Sequence, residues 1–208
     1  MSLATCNLTA SRKDGMMCAM NPRRNAEATR DLIFTACSRI LQREGLASLT
    51  LDAVAEEAGL SKGGLLYHFP SKVEMIEALF QYHIDRFNQR LEALVIEEGQ
   101  ETGGWLRAYA QASIEQITDP DKASMFASLF AAGERYPTVL AIMKRGYDEW
   151  QQKVEGCGVA PNVAMLVRLA VDGIWFTEMY QYAPPTVEQR KAVMSLILQL
   201  TSKQVSTP

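Results

Sequence analysis

The sequence has few of the residues from which catalytic and metal sites are built. Its only histidines, His68 and His83, are too far apart to bind one metal from a single helix, and its four cysteines lack paired or metal-binding spacing. No Ser/His/Asp or Cys/His set stands out, no glycine-rich phosphate loop follows a strand, and no Glu-x-x-His pattern occurs. These absences argue against an enzyme, and we expect no catalytic residue, metal site or cofactor.

Long hydrophobic runs and strand patterns are missing as well. No apolar stretch reaches the roughly 18 residues that span a bilayer. The N-terminus is not a secretory signal, because Arg12, Lys13 and Asp14 are not followed by a long apolar segment. We therefore expect a cytoplasmic protein with no membrane partner. The alternation of apolar and polar residues that marks strands is also absent, which leaves an all-α chain.

Apolar side chains are abundant, and charge is unevenly distributed. Hydrophobic residues make up 48% of the 208 residues, enough to bury a sizeable core. The net charge of −3 divides into a slightly basic segment up to residue 72, with nine basic and seven acidic residues, and an acidic remainder with 12 and 17. This asymmetry suits a small DNA-contacting domain attached to a larger acidic body.

Residues 49–72, LTLDAVAEEAGLSKGGLLYHFPSK, carry the most specific pattern in the chain. Thr50 can cap a first short helix with its side-chain oxygen, and Gly59 provides the positive φ that ends that helix. Ser61 can cap a second helix, whose first turn is residues 62–64. Two short helices joined by a tight glycine turn form a helix-turn-helix, which places its second helix in the major groove of DNA.

The side chains of the second helix divide between the core and the DNA. Leu65 and Phe69, at positions i and i+4, face the core, while Tyr67 and His68 lie on another face. Free backbone N–H groups in the first turn can meet a phosphate, and the glycines remove side-chain bulk. The alternative is an ordinary helical hairpin whose glycines make a weak helix start. The expected DNA contacts are Thr50, Ser61, Lys62, Gly63, Gly64, Tyr67, His68 and Lys72.

Residues 29–80 resemble the N-terminal domain of tetracycline-repressor-type (TetR-family) regulators. Residues 55–61 supply the A-x-x-A-G-[VL]-S turn of that family, and residues 65–72 follow its L-Y-x-H-F-x-x-K pattern. One position departs, because Leu66 stands where a phosphate-contacting tyrosine is expected, and Tyr67 must carry more of that role. The resemblance implies a DNA-binding regulator that forms a homodimer and responds to a small molecule. Beyond residue 80 it rests on length and helical layout.

Helical periodicity and proline breaks predict about nine helices, three of them N-terminal. We expect a disordered arm over residues 1–24, a helix-turn-helix DNA-binding domain over 25–72, and a helical effector-binding and dimerisation domain over 73–208. Besides the two short helices, the predicted spans are 25–44, 71–98, 105–118, 121–133, 137–156, 161–182 and 186–202. Capping boxes are predicted at Ser71–Glu74 and Thr186–Gln189.

Two C-terminal helices carry more apolar surface than one chain needs. Residues 163–180 are apolar almost all round, so we expect this helix to be buried on every side. Such a helix can also be an ordinary core helix of a monomer. The family resemblance implies a homodimer through a four-helix bundle, with two helices from each subunit. The candidate dimerisation residues are Leu166, Ala170, Gly173, Val193, Leu196, Ile197 and Leu200.

The middle of the C-terminal part is rich in aromatic residues and methionines, which line apolar ligand pockets but are more often simply core. Together with the resemblance, this composition predicts a small-molecule pocket. Asp172 and Glu178 lie in the same region, and a carboxylate among aromatic rings can hold a cation; both acids can equally face solvent. The candidate ligand residues are Trp105, Tyr109, Phe126, Phe130, Met143, Tyr147, Trp175, Phe176, Glu178 and Met179.

The sequence therefore predicts a ligand-responsive transcriptional repressor. A homodimer would read a palindromic operator in double-stranded DNA, and a small hydrophobic effector, cationic in one version of the hypothesis, would release it. The alternatives are an architectural DNA-binding protein without an effector and, with the least support, an all-helical enzyme.

Overall fold

The computed structural model describes residues 22–99 and 101–202, with side chains described from residue 26 onward. These ranges contain nine helices and no strand, which confirms the predicted all-α fold. The predicted arm, residues 1–24, lies outside the described residues except for 22–24, which begin the first helix. The helices are α1 Pro22–Glu44, α2 Leu51–Glu57, α3 Lys62–His68, α4 Lys72–Glu98, α5 Gly104–Ile117, α6 Pro120–Arg135, α7 Pro137–Glu155, α8 Pro161–Tyr180 and α9 Val187–Ser202.

Side-chain caps and prolines set the helix starts where the sequence predicts them. The Ser71 hydroxyl accepts a hydrogen bond from the Glu74 N–H at 3.2 Å and donates to the Glu74 carboxylate at 2.8 Å. Before α9, the Gln189 N–H donates to Thr186 Oγ1 at 3.2 Å, and the Thr186 N–H donates to Gln189 Oε1 at 2.8 Å. This reciprocal pair satisfies two backbone donors at the helix start, as a capping box should. Helices α6, α7 and α8 each begin at a proline, whose missing N–H is not needed there.

One core joins the DNA-binding segment to the rest of the molecule. Ile33 of α1, Leu65 of α3 and Leu79 of α4 are fully buried in the same cluster as Leu129 of α6. A second cluster packs α4 and α5 against α8 and α9. Because α4 and α6 contribute to the core of the helix-turn-helix, a shift of either helix must be felt by the DNA-binding segment.

Helix α8 is buried on one side only in a single chain, so the predicted burial on every side would require a partner that covers its outer face. Its inner face places Ala164, Val167, Val171 and Ile174 in the cores. Its outer face exposes apolar side chains at alternating spacings of three and four, a period that keeps them on one stripe of the helix. We call this set the α8 stripe; its members are Leu166, Leu169, Gly173, Phe176 and Tyr180.

A buried arginine fixes the far end of α4. Arg107 Nε donates to Glu98 Oε2 at 2.7 Å, and its Nη1 donates to the Thr102 and Thr201 carbonyls. Its side chain is only 5% exposed, so these partners are needed to offset the desolvation of the charge. The contacts tie the ends of α4 and α9 to α5.

Candidate DNA interface and effector cavity

Helix α3 presents one face to the core and the other to solvent. The Ser61 hydroxyl caps it by accepting from the Gly64 N–H at 3.0 Å. Leu65 and Phe69 are buried as predicted, whereas the Tyr67 side chain is 84% exposed. His68 is half-buried, with its ring edge-on to Tyr67 at 5.2 Å between centroids. This helix therefore has the two faces that a recognition helix needs.

Lys62, at the start of α3, is held by an acid from the preceding helix. Its Nζ lies 2.9 Å from Oδ1 of Asp52, and both side chains are exposed. Thr50 caps α2 by accepting from the Ala53 N–H at 3.1 Å, and it too is exposed. The charge that we expect to meet a phosphate is thus shared with a carboxylate in the free protein.

The remaining predicted DNA contacts differ in the room around them and in how far their side chains are buried. A Cβ added at Gly63 would meet nothing within 4 Å, so the fold itself does not require a glycine there. Lys72 is half-buried, and its Nζ donates to the Leu46 carbonyl at 3.4 Å. Burial lowers the pKa of Lys72, and the nearby Arg135 lowers it further. Leu66, where the resemblance expects tyrosine, is half-buried.

A cavity opens among α4, α5, α6, α7 and α8. The space inside it that the centre of a water molecule can occupy is about 50 Å³, so a small-molecule ligand must widen it by displacing side chains. The indole N–H of Trp175 donates to the Ser113 carbonyl at 3.1 Å, which fixes this part of the wall. The lining residues are Phe80, His83, Ile84, Phe87, Tyr109, Ser113, Gln116, Phe130, Met143, Tyr147, Trp150, Asp172 and Trp175.

Asp172 is the only acidic side chain among the lining residues. The Tyr109 hydroxyl donates to its Oδ1 at 3.4 Å, and Arg168 Nε lies 3.4 Å from its Oδ2. Burial nevertheless raises the pKa of Asp172 above its ordinary value, and Arg168 and Tyr109 offset this only in part. Arg168 is shared, since its Nη1 also donates to Gln151 Oε1 at 2.6 Å. The carboxylate is therefore incompletely stabilised in the protein alone.

The tyrosines of the cavity are neutral at ordinary pH. Burial raises the pKa of Tyr147 to about 12, with a further upward contribution from Asp172. Burial, followed by the charge of Asp172, also raises the pKa of Tyr109. Neither phenol therefore adds negative charge to the wall.

The structure brings half of the predicted ligand residues into this cavity and places the others elsewhere. Those that line the cavity are Tyr109, Phe130, Met143, Tyr147 and Trp175. Of the two acids singled out from the sequence, Asp172 lines the cavity and Glu178 does not.

Five of the predicted ligand residues need correction. Trp105 stacks on Tyr109 at 5.4 Å but lines a separate groove, and Phe126 lines a groove beside α1 while packing against Trp175. Phe176 is 51% exposed on the α8 stripe. Met179 packs against the first core. Glu178 is buried in an ion pair with Arg190, so it has no charge to offer a ligand.

Sequence reasoning missed the contribution of α4 to the cavity. Phe80, Ile84 and Phe87 lie at i, i+4 and i+7, so they share a face of the helix, and His83 lies beside them. The same spacing also describes an ordinary core face, which is why the pattern alone did not indicate a cavity. Ser113 and Gln116 of α5 were missed as well.

The predicted dimerisation residues do not all reach the surface. Ile197 is only 3% exposed and belongs to the second core of its own chain, so its assignment to the interface is corrected. Ala170, Val193 and Leu200 are half-buried, and Val193 packs against both cores. The exposed members are Leu166, Gly173 and Leu196.

Two family models match the chain. One, described as bacterial regulatory proteins of the tetR family, covers residues 33–79, which include the helix-turn-helix. The other, the tetracyclin repressor-like C-terminal domain, covers residues 103–202, which include much of the cavity wall and both C-terminal helices. The chain belongs to the tetracycline-repressor family. As a TetR-family member it is a DNA-binding transcription regulator and not an enzyme.

Individual relatives, both helix-turn-helix-type transcriptional regulators, match different parts of the chain. The Escherichia coli K12 regulator UidR is 26% identical over 171 residues, which cover 73% of this chain and 81% of UidR. The Pseudomonas putida regulator TtgR is 39% identical, but only over 54 residues. That match covers 26% of each protein, so the chain spans about a quarter of the length of TtgR.

Solved structures of other proteins share the fold. A transcriptional regulator from Rhodococcus sp. Rha1 superimposes with a TM-score of 0.68 at 20% identity, covering 86% of this chain and 99% of that one. The multidrug binding protein EbrR, solved in complex with imidazole, gives a TM-score of 0.65 at 19% identity, covering 91% and 98%. At these identities the likeness concerns the fold alone.

Among the described residues, the structure has no group of side chains suited to a metal ion and no helix that could cross a membrane.

Proposed function

We propose that this regulator is a repressor that a small, largely apolar effector with a cationic group releases from a palindromic operator. It would act in the cytoplasm as a homodimer. The observation that carries the proposal is the aromatic cavity among α4–α8 with Asp172 in its wall. Members of the family regularly couple a C-terminal ligand-binding domain to DNA binding. EbrR, which shares the fold, is a multidrug binding protein.

The positive charge of the proposed effector follows from the residues of the cavity wall. Asp172 is its only acid, and its raised pKa means that burial outweighs the help from Arg168 and Tyr109. A ligand cation near this carboxylate would supply the missing stabilisation. The rings of Tyr147 and Trp150 lie 5.3 Å apart in the same wall and can contribute cation–π attraction. A neutral ligand would gain only the apolar contacts.

The dimer would form through the α8 stripe. Leu166 and Leu169 are 58% and 57% exposed, and Phe176 is 51% exposed. Gly173 lies between them with open space at its Cβ position, so a second helix can approach closely. An apolar stripe with heptad-like spacing is the surface that another helix covers in a bundle.

Release requires that the effector bind two states with different affinity. In the DNA-bound state the two recognition helices must match the spacing of the half-sites. An effector that fits better in a state with a different spacing would lower DNA affinity by its differential affinity, and DNA would lower effector affinity by the same factor.

The test uses a matched pair of probes. Phenyltrimethylammonium and tert-butylbenzene have nearly the same shape but differ in charge. We would select a duplex from a random pool, then measure its affinity by gel shift with each probe, and follow probe binding by tryptophan fluorescence. We expect the cation to bind more tightly and to weaken DNA binding, and Asp172→Asn to abolish its advantage over the neutral probe.

A matched control is Asp148→Asn, which removes an acid from an exposed position of α7 next to the cavity residue Tyr147. This variant should respond to the cation like the parent protein. Equal binding of the two probes would refute the charge of the effector. Failure of both probes, and of a wider compound set, to displace the DNA would favour an architectural DNA binder.

A further inference from the structure

His83 lies between the proposed effector cavity and the first helix of the DNA-binding segment. Its side chain lines the cavity on α4 and also borders the groove between α1 and α4. Its ring packs edge-on against Phe126 of α6 at 5.5 Å and against Tyr82 at 5.4 Å. The ring is therefore packed between Phe126 and Tyr82, and it borders both the cavity and the groove.

On the α1 side, His83 meets a hydroxyl. Ser38 Oγ lies 3.3 Å from His83 Nε2 and 2.9 Å from the Phe34 carbonyl one helical turn earlier. A serine hydroxyl has one proton, and the shorter contact is to an oxygen that can only accept. Ser38 therefore donates to Phe34, and its oxygen accepts from the Nε2–H of His83. This assigns the neutral tautomer that carries its proton on Nε2.

The other ring nitrogen remains available to a ligand. With the proton on Nε2, Nδ1 is an acceptor, and no hydrogen bond to it is formed within the described residues. Every side-chain nitrogen or oxygen of those residues that is closed off from solvent has a hydrogen-bond partner. Because Nδ1 has none, it must border accessible space. Burial lowers the pKa of His83 to about 4, with Arg86 and Lys122 adding to the effect, so the ring is neutral near pH 7.

We propose that His83 is the positioning residue that transmits occupation of the cavity to the DNA-binding segment through Ser38 on α1. A ligand that contacts the ring has to move it by only a few tenths of an ångström to lengthen the 3.3 Å contact beyond a hydrogen bond. From Ser38 the path continues through Phe34, whose ring lies 5.6 Å from that of Phe69 at the end of α3. The part of this inference that involves a bound ligand rests on the proposed function; the link between His83 and the DNA-binding segment does not.

The chain supplies matched controls for this path. Two other hydroxyls join the body to α1: Ser124 Oγ donates to the Gln42 carbonyl and Ser128 Oγ to the Leu41 carbonyl, both at 3.4 Å. Both serines are on α6, and neither lines the cavity. Ser128→Ala therefore removes a bond between α1 and the body without touching the path, whereas Ser38→Ala removes the bond that we assign to it.

The first test needs no effector. The chain has only two histidines, so nitrogen-15 labelling of histidine gives one ring in the recognition helix and one in the cavity wall. Adding a selected duplex should shift the His68 signals, which reports binding, and should also shift the His83 Nε2 signal. The His83 shift should vanish in Ser38→Ala and persist in Ser128→Ala. A His83 signal that ignores DNA, or one that responds equally in both variants, overturns the proposal.

The second test measures coupling with phenyltrimethylammonium as the probe. We expect the ratio of DNA affinities without and with saturating probe to be about fivefold or more in the parent protein. His83→Phe and Ser38→Ala should bring it close to one, while His83→Gln, which keeps a donor near the Nε2 position, should retain part of it. An unchanged ratio in His83→Phe overturns the proposal. If no probe acts on the parent protein, the proposed function fails, and the first test still decides the role of His83.

Discussion

Asp52 holds Lys62 at the start of the recognition helix, with 2.9 Å between Oδ1 and Nζ. Both residues are exposed, so the pair is accessible to DNA as it stands. An exposed ion pair of this kind contributes little to stability. We expect its effect on DNA binding to be larger, because Lys62 would exchange a carboxylate for a phosphate and leave the carboxylate close to the DNA backbone.

We predict that Asp52→Asn strengthens DNA binding. Freed of its partner, Lys62 can neutralise a phosphate completely, so the slope of log affinity against log salt should steepen by about one unit. Gel-shift titrations at several salt concentrations measure both quantities. Glu92→Gln, which removes an exposed acid from the C-terminal part of α4, is the control and should leave the slope unchanged. An unchanged slope in Asp52→Asn would mean that Lys62 does not contact phosphate.

Tyr67 should contribute to DNA binding without contributing to stability. Its side chain is 84% exposed, so Tyr67→Ala should leave the melting temperature nearly unchanged. DNA affinity should fall by about tenfold, on the order of one hydrogen bond to a charged group. Tyr67→Phe separates the hydroxyl from the ring. If Tyr67→Ala bound the selected duplex as tightly as the parent protein, the assignment of the exposed α3 face to DNA would be wrong.

The dimer is best tested on the α8 stripe. Leu166→Glu combined with Leu169→Glu places two carboxylates where we expect an apolar interface, and an unpaired buried charge costs several kcal/mol. The double variant should be monomeric by light scattering during size-exclusion chromatography and should bind DNA more weakly. Ile96→Glu is the control, because Ile96 is an 80% exposed apolar residue on α4, away from the stripe. A stable dimer in the double variant would place the interface elsewhere.

Two neighbouring residues of α9 show how far a dimer interface can be predicted from the sequence. Leu196 and Ile197 are equally apolar, yet Leu196 is 52% exposed and Ile197 is 3% exposed. Consecutive helical residues point about 100° apart, and only the packing of α9 on α5 and α8 decides which one faces outward. An Ile197→Glu variant would therefore disrupt the core of the protomer and say nothing about dimerisation.

Local signals were sufficient for the helix-turn-helix and the caps. Ser61 and Ser71 act on N–H groups three residues away, and Gly59 adopts a φ of 66°, so each prediction needed only neighbouring sequence. The cavity could not be predicted in the same way. In the sequence alone, Glu178 fits a ligand contact or a surface charge equally well; the fold places Arg190, twelve residues later on another helix, beside it. A face of α4 can line a cavity or fill a core with the same residue spacing.

The stability of the folded protein should depend on His83 below neutral pH. Its folded pKa is about 4, below its ordinary value of 6.5, because burial disfavours the charged ring. The unfolded state therefore binds the proton more readily, and the stability present above about pH 6.5 is lost as the pH falls toward 4. By linkage, the loss from this group between pH 8 and pH 5 is about 2 kcal/mol. Urea unfolding at several pH values gives the total dependence.

The contribution of His83 is isolated by His83→Gln, which has no titrating ring. Carboxylates titrate in both proteins, so they cancel in the difference between the two free energies of unfolding. We expect the variant to be less stable than the parent protein at pH 8, because the packing against Phe126 and Tyr82 is lost. The gap should narrow as the pH falls from 6.5, since only the parent protein then has to keep a buried imidazole unprotonated. Parallel curves from pH 8 to pH 5 would show that the His83 ring is protonated as easily in the folded state as in the unfolded state, and would contradict its position between the cavity and α1.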